Sequence, residues 1–340
     1  SAADLATVPK GLSAITKAHS SVNATPWAFI SLAVCMMAGT ASLPHVMMRY
    51  FTTPSVRTAR RSVGWSLFFI FLLYSSAPML ATLSKISLMD PNLATGIIGK
   101  SITEVQALDW YQNWNQAKLM FVSDFNGNGT LELNEFFMKG SAVVLATPEI
   151  AGLPYVISGL VAAGGMAAAM STADGLVLAI SNALSHDVYY KIINPKAETA
   201  KRLIVARVLL VLIGFAGATI AALEIQGILG SVIWAFDFAM SGLFFPLVLG
   251  VWWKRANAPG AVAGMLLGLI SGTAYLVWVR SGGSGFLGIT QLTFGIVGAS
   301  VSLVSMIVVS LITAAPDAAT QKMVDDVRVP SGKTILGKQH

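Results

Sequence analysis

Apolar residues come along this chain in long runs, separated by short polar stretches that are mostly basic. A run of about 20 such residues, wound as a helix, crosses the hydrocarbon core of a bilayer. Seven runs meet that description, at 27–47, 65–81, 155–184, 203–223, 225–252, 261–279 and 292–314. They predict seven transmembrane helices. The third run is longer than a membrane is thick, so its helix should tilt or extend past the lipid. Between the second and third runs lies a polar segment of roughly 70 residues, far beyond a usual connection.

Composition excludes the soluble alternative. Charged residues are 11% of the 340 and hydrophobic residues 55%, whereas a water-soluble domain carries roughly 25% charge to wet its surface. The net charge of +6 does not point to nucleic acid, because the bases sit at the ends of apolar runs, where membrane topology reads them. Arg49, Arg57, Arg60 and Arg61 fill one short connection; Lys191, Lys196, Lys201 and Arg202 fill another; Lys254 and Arg255 lie in a third. The long segment instead holds Asp90, Glu104, Asp109, Asp124, Glu132 and Glu135, and Glu224 lies in another turn on that side. The positive-inside rule then puts the basic connections and the C-terminal tail in the cytoplasm and the N-terminus outside. The expected location is a bacterial inner (plasma) membrane, crossed several times. The one cysteine, Cys35, lies within an apolar run, so no disulfide framework exists. The chain begins at Ser1 without Met or signal peptide, which sets the expectation of a partial translation product. Four segments follow: 1–85 with the first two spans, 86–150 outside the membrane, 151–314 with five spans, and a cytoplasmic tail at 315–340.

Polar residues at membrane depth are costly and mark candidate function. The third run reads Gly164, Gly165, Met166, Ala167, Ala168, Ala169, Met170, Ser171, Thr172, Ala173, Asp174, Gly175. Ser171 and Thr172 offer adjacent hydroxyls, and Asp174 shares their part of the helix. Hydroxyls with backbone carbonyls suit a hard cation such as sodium. The alternative is that both hydroxyls bond back to the preceding turn while Asp174 caps a kink. In the first run, Gly39, Thr40, Ala41, Ser42, Leu43, Pro44 and His45 suggest a broken helix, a device by which transporters build ion and substrate sites at mid-depth. A plain proline kink and a packing histidine are the alternative. Asp237 is a second acid in an apolar run, for an ion path or for pairing with a backbone or basic group.

The long outer segment carries Asp124, Asn126, Asn128, Gly129, Thr130, Glu132 and Glu135 at the spacing of an EF-hand calcium loop. Gly129 allows the sharp turn, the Thr130 carbonyl and Glu132 complete the ring, and Glu135 would bind through both oxygens. Helices are expected on either side, over 104–122 and 133–139. Two ligand positions are Asn, so calcium should bind weakly, at about 10⁻⁴ to 10⁻³ M; a solvated acidic turn without metal is the alternative.

Three stretches carry a resemblance: GTASLPHVMMRYFTTPSVRTARRSVGW, LATPEIAGLPYVISGLVAAGGMAAAMSTADGLVLAISNALSHDVYYK and FFPLVLGVWWKRANAPGAVAGM. They resemble the sodium:solute symporter family, and within it the cation/acetate symporters. The resemblance spans most of 26–280. It implies an all-α polytopic membrane protein, the second half of a leucine-transporter-like fold of two inverted five-helix repeats. It also implies that Ser171 and Thr172 supply sodium-site hydroxyls, that Ala168 supplies a carbonyl, and that residues 39–45 line the substrate cavity. Core helices one to five would lie outside this chain, in a missing N-terminal half that completes the sodium site. The function expected is symport of sodium with a short monocarboxylate such as acetate. A symporter-like membrane sensor feeding a signalling domain is the alternative, which the short polar tail after Ala314 disfavours. An enzyme is not expected: there is no nucleophile–base pair, and Gly282, Gly283, Ser284 and Gly285 follow no strand.

Overall fold

The computed structural model describes residues 26–328 apart from 224 and 226. Its elements are α1 (Pro26–Ser42), α2 (Pro44–Met48), α3 (Val56–Met89), α4 (Ile102–Gln106), α5 (Asp109–Gln116), β1 (Met120–Val122), β2 (Phe136–Met138), α6 (Val143–Ile150), α7 (Tyr155–Asn182), α8 (Thr199–Ala222), α9 (Ile228–Ala239), α10 (Phe245–Trp252), α11 (Ala258–Arg280), α12 (Gly295–Ile312) and α13 (Ala318–Arg328). Six helical stretches among the described residues are long and apolar enough to span a membrane: Val56–Met89, Tyr155–Ile193, Thr199–Ala222, Ile228–Trp252, Ala258–Arg280 and Gly295–Ile312. The fold is an all-α polytopic membrane protein.

The seventh expected span, 27–47, is the one that differs. Its helix stops after 17 residues at Ser42. Leu43 is extended, with φ −68° and ψ 117°, and Pro44 opens the next short helix. The cause is local: a proline pushes the residue before it out of the helical region while pre-setting its own φ for a first turn. Other spans outrun their apolar cores. α3 has 34 residues, about 50 Å at 1.5 Å per residue, and begins in the basic cluster of Arg57, Arg60 and Arg61. α7 continues through an 11-residue π-helical stretch, Ala183–Ile193. A second π turn, Met240–Phe244, joins α9 to α10 just before Pro246, where the ring has no N–H to give to the preceding turn.

The described residues fall into two compact units, Val63–Ala173 and 26–62 with 174–328. In the first, the segment outside the spans has its own core of Leu88, Ile97, Val105, Tyr111, Met120, Leu131, Ala146 and Ile150. Of the expected helices flanking the calcium-type loop, the one over 104–122 is present only as far as Gln116, as α4 and α5, and the one over 133–139 is absent. Instead β1 and β2 pair antiparallel, Phe121 opposite Phe137, with the two rings stacked at 4.5 Å. The run Met120, Phe121, Val122 is aromatic and β-branched, and pairing it with Phe136, Phe137 and Met138 gains more than a solvated helix would.

In the second unit, α11 and α12 pack with their backbones nearly touching. Gly260, Gly264, Gly268 and Gly272 recur every fourth residue along one buried face of α11. Opposite them on α12 stand Gly298, Ser302, Met306 and Ser310. Where lipid replaces water, helices associate through such close contact between small residues. A Cβ on Gly268 would meet the Ser241 carbonyl, the Ser302 Cβ at 2.8 Å and the Gly298 carbonyl at 3.1 Å. The ends are pinned: Asn257 caps α11 by accepting the Gly260 N–H at 3.0 Å and donates to Thr313 Oγ1 at 2.7 Å. Arg255 donates to the Thr313 carbonyl, also at 2.7 Å.

Gly268→Leu is expected to destabilise the protein by about 1–3 kcal/mol or more, the usual cost of overpacking. Gly217→Leu on α8, where nothing lies within 4 Å of a new Cβ, should be near neutral. Thermal unfolding in detergent, followed by tryptophan emission, separates the two.

Candidate functional site

The helix break is the most unusual feature at span depth. Gly39, one turn before it, is buried because the backbone of Phe236 on α9 lies against it; a Cβ there would meet the Phe236 carbonyl at 2.6 Å. Thr40 is exposed and bonds back to the Met36 carbonyl at 2.6 Å, as does Ser42 to Ala38 at 2.6 Å. Both hydroxyls thus pair within their own helix. Past the break, His45 and Arg49 reach Gly175 on α7: the Arg49 guanidinium would lie 3.5 Å, and the His45 ring 3.9 Å, from a Cβ at that glycine. The absence of a side chain at Gly175 is what lets α2 approach. His45 Nδ1 is buried there without a hydrogen-bond partner.

Below this contact an open groove of about 550 Å³ runs between α2 and the later part of α7, bordered by Pro44, Met48, Asn182, His186 and Asp187. Arg49 and His186 were not singled out from the sequence. Their signal was present, a basic residue and a histidine each just past an apolar run, but such residues sit at most span ends.

The residues expected to bind sodium, Ala168, Ser171 and Thr172, lie on α7 with exposed side chains. Thr172 Oγ1 donates to the Ala168 carbonyl at 3.3 Å. That is the back-bonding geometry, and it also places two of the three expected ligand oxygens side by side. Asp174 is exposed on the next turn. Asp237 is wholly buried, and neither carboxyl oxygen makes a hydrogen bond of ordinary geometry. Cys35 and the backbone of Phe294 and Gly295 lie beside it, while Ser241 Oγ bonds to its carbonyl at 2.7 Å. It does not pair with a basic side chain among the described residues.

The loop's side-chain oxygens are turned inward onto its own N–H groups. Asp124 accepts the N–H groups of Gly127 at 2.7 Å and Gly129 at 3.0 Å. Asn126 and Asn128 each accept the N–H two residues on, at 3.0 and 2.7 Å. Glu135, wholly buried, bridges the two ends of the turn, taking the N–H of Phe125 and of Glu132, both at 2.9 Å. Glu132 instead accepts from the Asn126 and Asn128 amides at 3.0 and 3.1 Å. Gly127 and Gly129 have φ of 72° and 70°, where a side chain would be strained. The Thr130 backbone pairs with Ser101 in an isolated antiparallel bridge. No group of three or more His, Cys, Asp or Glu side chains placed to hold a metal occurs among the described residues.

Six long apolar helical stretches define a polytopic membrane protein. Residues 139–268 match the model of the sodium:solute symporter family. It is 41% identical over 295 residues to a symporter of Cupriavidus necator described only as uncharacterized, covering 84% of this chain and 42% of that protein. It is 28% identical over 245 residues to the monocarboxylic acid transporter of Corynebacterium glutamicum, covering 72% of this chain and 37% of that protein. The chain therefore spans about two fifths of the length of these relatives.

Glu135→Ala leaves two backbone N–H groups without their acceptor, a loss of about 1–3 kcal/mol for buried donors. Hydrogen exchange at the amides of Phe125 and Glu132 should accelerate on that substitution, with the β1–β2 amides less affected.

Proposed function

We propose that this chain is part of a sodium-coupled symporter of a short monocarboxylate such as acetate, and that it acts by binding and alternating access rather than by chemistry on the substrate. The observation that carries the reading is the broken α1–α2 helix lying against α7 at Gly175, beside an open groove. Irregular backbone at that depth is tolerated where it lines protein or a water-filled path. The family match supports sodium as the coupling ion; the Corynebacterium relative is named for monocarboxylic acids, which supports the substrate class.

On this proposal the Ala168 carbonyl and the Ser171 and Thr172 hydroxyls are sodium ligands, completed by the partner half of the transporter. Their exposure in this chain accords with a face awaiting that half. Gly39, Thr40 and His45 border the substrate path, and Asp174 and Asp237 serve the ion path. The basic connections face the cytoplasm of the inner membrane, with the outer loop opposite. In the full-length transporter, Ser171→Ala combined with Thr172→Ala is expected to raise the sodium concentration for half-maximal acetate uptake at least about tenfold, since lost support around a metal commonly costs 10–100-fold. Unchanged sodium dependence would refute the ligand assignment.

The outer loop carries a second reading, as a weak calcium site formed by Asp124, Asn126, Asn128, the Thr130 carbonyl, Glu132 and Glu135. The ligand spacing in the sequence and the positive φ of Gly129 support it. Bound calcium would draw the loop ends together and stiffen the β1–β2 hairpin. Calcium titration of the whole chain should give a saturable change in tryptophan emission with a midpoint near 10⁻⁴–10⁻³ M, reported by Trp110 and Trp114 in the adjoining core. Glu135→Gln should abolish it. A flat titration up to about 10 mM, tenfold past that range, rejects calcium.

A further inference from the structure

A second, smaller cavity of about 260 Å³ lies between the π-helical end of α7 and the start of α8, bordered by Asn182, Ser185, His186, Thr199 and Arg202. Its cation is held ready. The Arg202 guanidinium sits 4.2 Å over the face of the Tyr190 ring, and Nη2 donates to Thr199 Oγ1 at 2.9 Å. Its Nε is buried and has no hydrogen-bond partner. An orphan donor on an oriented guanidinium is costly to leave unmet, and a planar fork of this kind matches phosphate and carboxylate oxygens. No acid cancels it: Asp187 does not border this cavity and is engaged by Lys191 at 2.9 Å and by His186 at 3.2 Å. Glu198, just before α8, is exposed.

The position selects among anions. Arg202 lies one turn into a membrane span, Thr199–Ala222, which places it at an interface between lipid and water. Lys191, Lys196 and Lys201 crowd the same connection, all exposed. Leu203 and Ala206 add apolar lining to the same cavity. A guanidinium and apolar side chains in one cavity fit a molecule with a phosphate head and a hydrocarbon tail. Basic pockets between spans are the general means by which membrane proteins hold such lipids.

We propose that this cavity binds the headgroup of an anionic phospholipid, with the Arg202 guanidinium as the phosphate donor and Asn182 and Ser185 beside it in the lining. The cavity shares Asn182 and His186 with the groove beside α2, but the proposal does not depend on the sodium and substrate assignment. The test uses the whole chain in nanodiscs of phosphatidylcholine, into which phosphatidylglycerol is titrated while thermal unfolding and lipid retention by native mass spectrometry are followed. Phosphatidylglycerol should stabilise the protein saturably, and Arg202→Gln should weaken the effect by about tenfold or more, the weight of a hydrogen bond to a charged group. Arg57→Gln removes an equal, exposed charge from a different connection and should leave the response intact. Asn182→Leu, which fills the cavity without touching the guanidinium, should weaken it as Arg202→Gln does, and covers the case in which the arginine variant misfolds. Equal loss in Arg57→Gln would mean general charge attraction and overturn the proposal. Stabilisation by inorganic phosphate alone, in phosphatidylcholine, would reassign the cavity to a free anion and overturn the lipid.

Discussion

In hydrocarbon every backbone N–H and C=O must find a partner within the protein, because no water is there to supply one. That requirement explains why the spans are helices and why the departures from regular helix matter. The Leu43 break keeps much of its bonding: Leu43 N–H reaches the Thr40 carbonyl at 3.4 Å, and Met47 N–H reaches the Leu43 carbonyl at 3.2 Å. The break is further sheltered by Phe236 against Gly39 and by α2 against Gly175. At the other departures the ladder shifts by one residue, giving the π turns at Met240–Phe244 and Ala183–Ile193. Two of these three departures, the Leu43 break and the longer π stretch, border the groove beside α2, and the longer π stretch also borders the Arg202 cavity.

The architecture was legible because its signal is long. Runs of apolar residues need no tertiary information to be read as spans, and six of the seven took that form. The seventh failed for a reason the sequence also carried: Pro44 cuts the helix, so a run of adequate length became 17 residues and a stub. The loop went the other way. Ligand spacing predicted the turn well, since Gly127 and Gly129 do adopt positive φ and Asp124 does gather the amides. The residues next to the loop were misread because EF-hand precedent continues the helices to its edge, while Phe121 and Phe137 favour each other across a ladder.

The candidate site was less legible than the fold. Ser171, Thr172 and Gly39 could be named from spacing and resemblance, but which groups meet depends on packing between distant segments. The approach of His45 and Arg49 to Gly175 is such a case, separated by more than a hundred residues of chain. A glycine in a helix gives no hint of its visitor. Arg202 was noted only as a topological charge, and its place over Tyr190 is visible only once the chain turns back at Asn194.

The glycine ladder of α11 has a geometric consequence of its own. A pattern that repeats every four residues matches itself after a slide of four, about 6 Å along the axis. It therefore decides which faces meet but leaves the turn-to-turn alignment degenerate, like a ruler with unnumbered marks. The numbering comes from the rims. Asn257 and Arg255 hook the start of α11 to Thr313. At the far end Tyr275 donates to the Ile289 carbonyl at 2.9 Å and accepts the Phe286 N–H at 2.8 Å. Few polar side chains, placed outside the apolar seam, choose one alignment among several that the seam alone would accept.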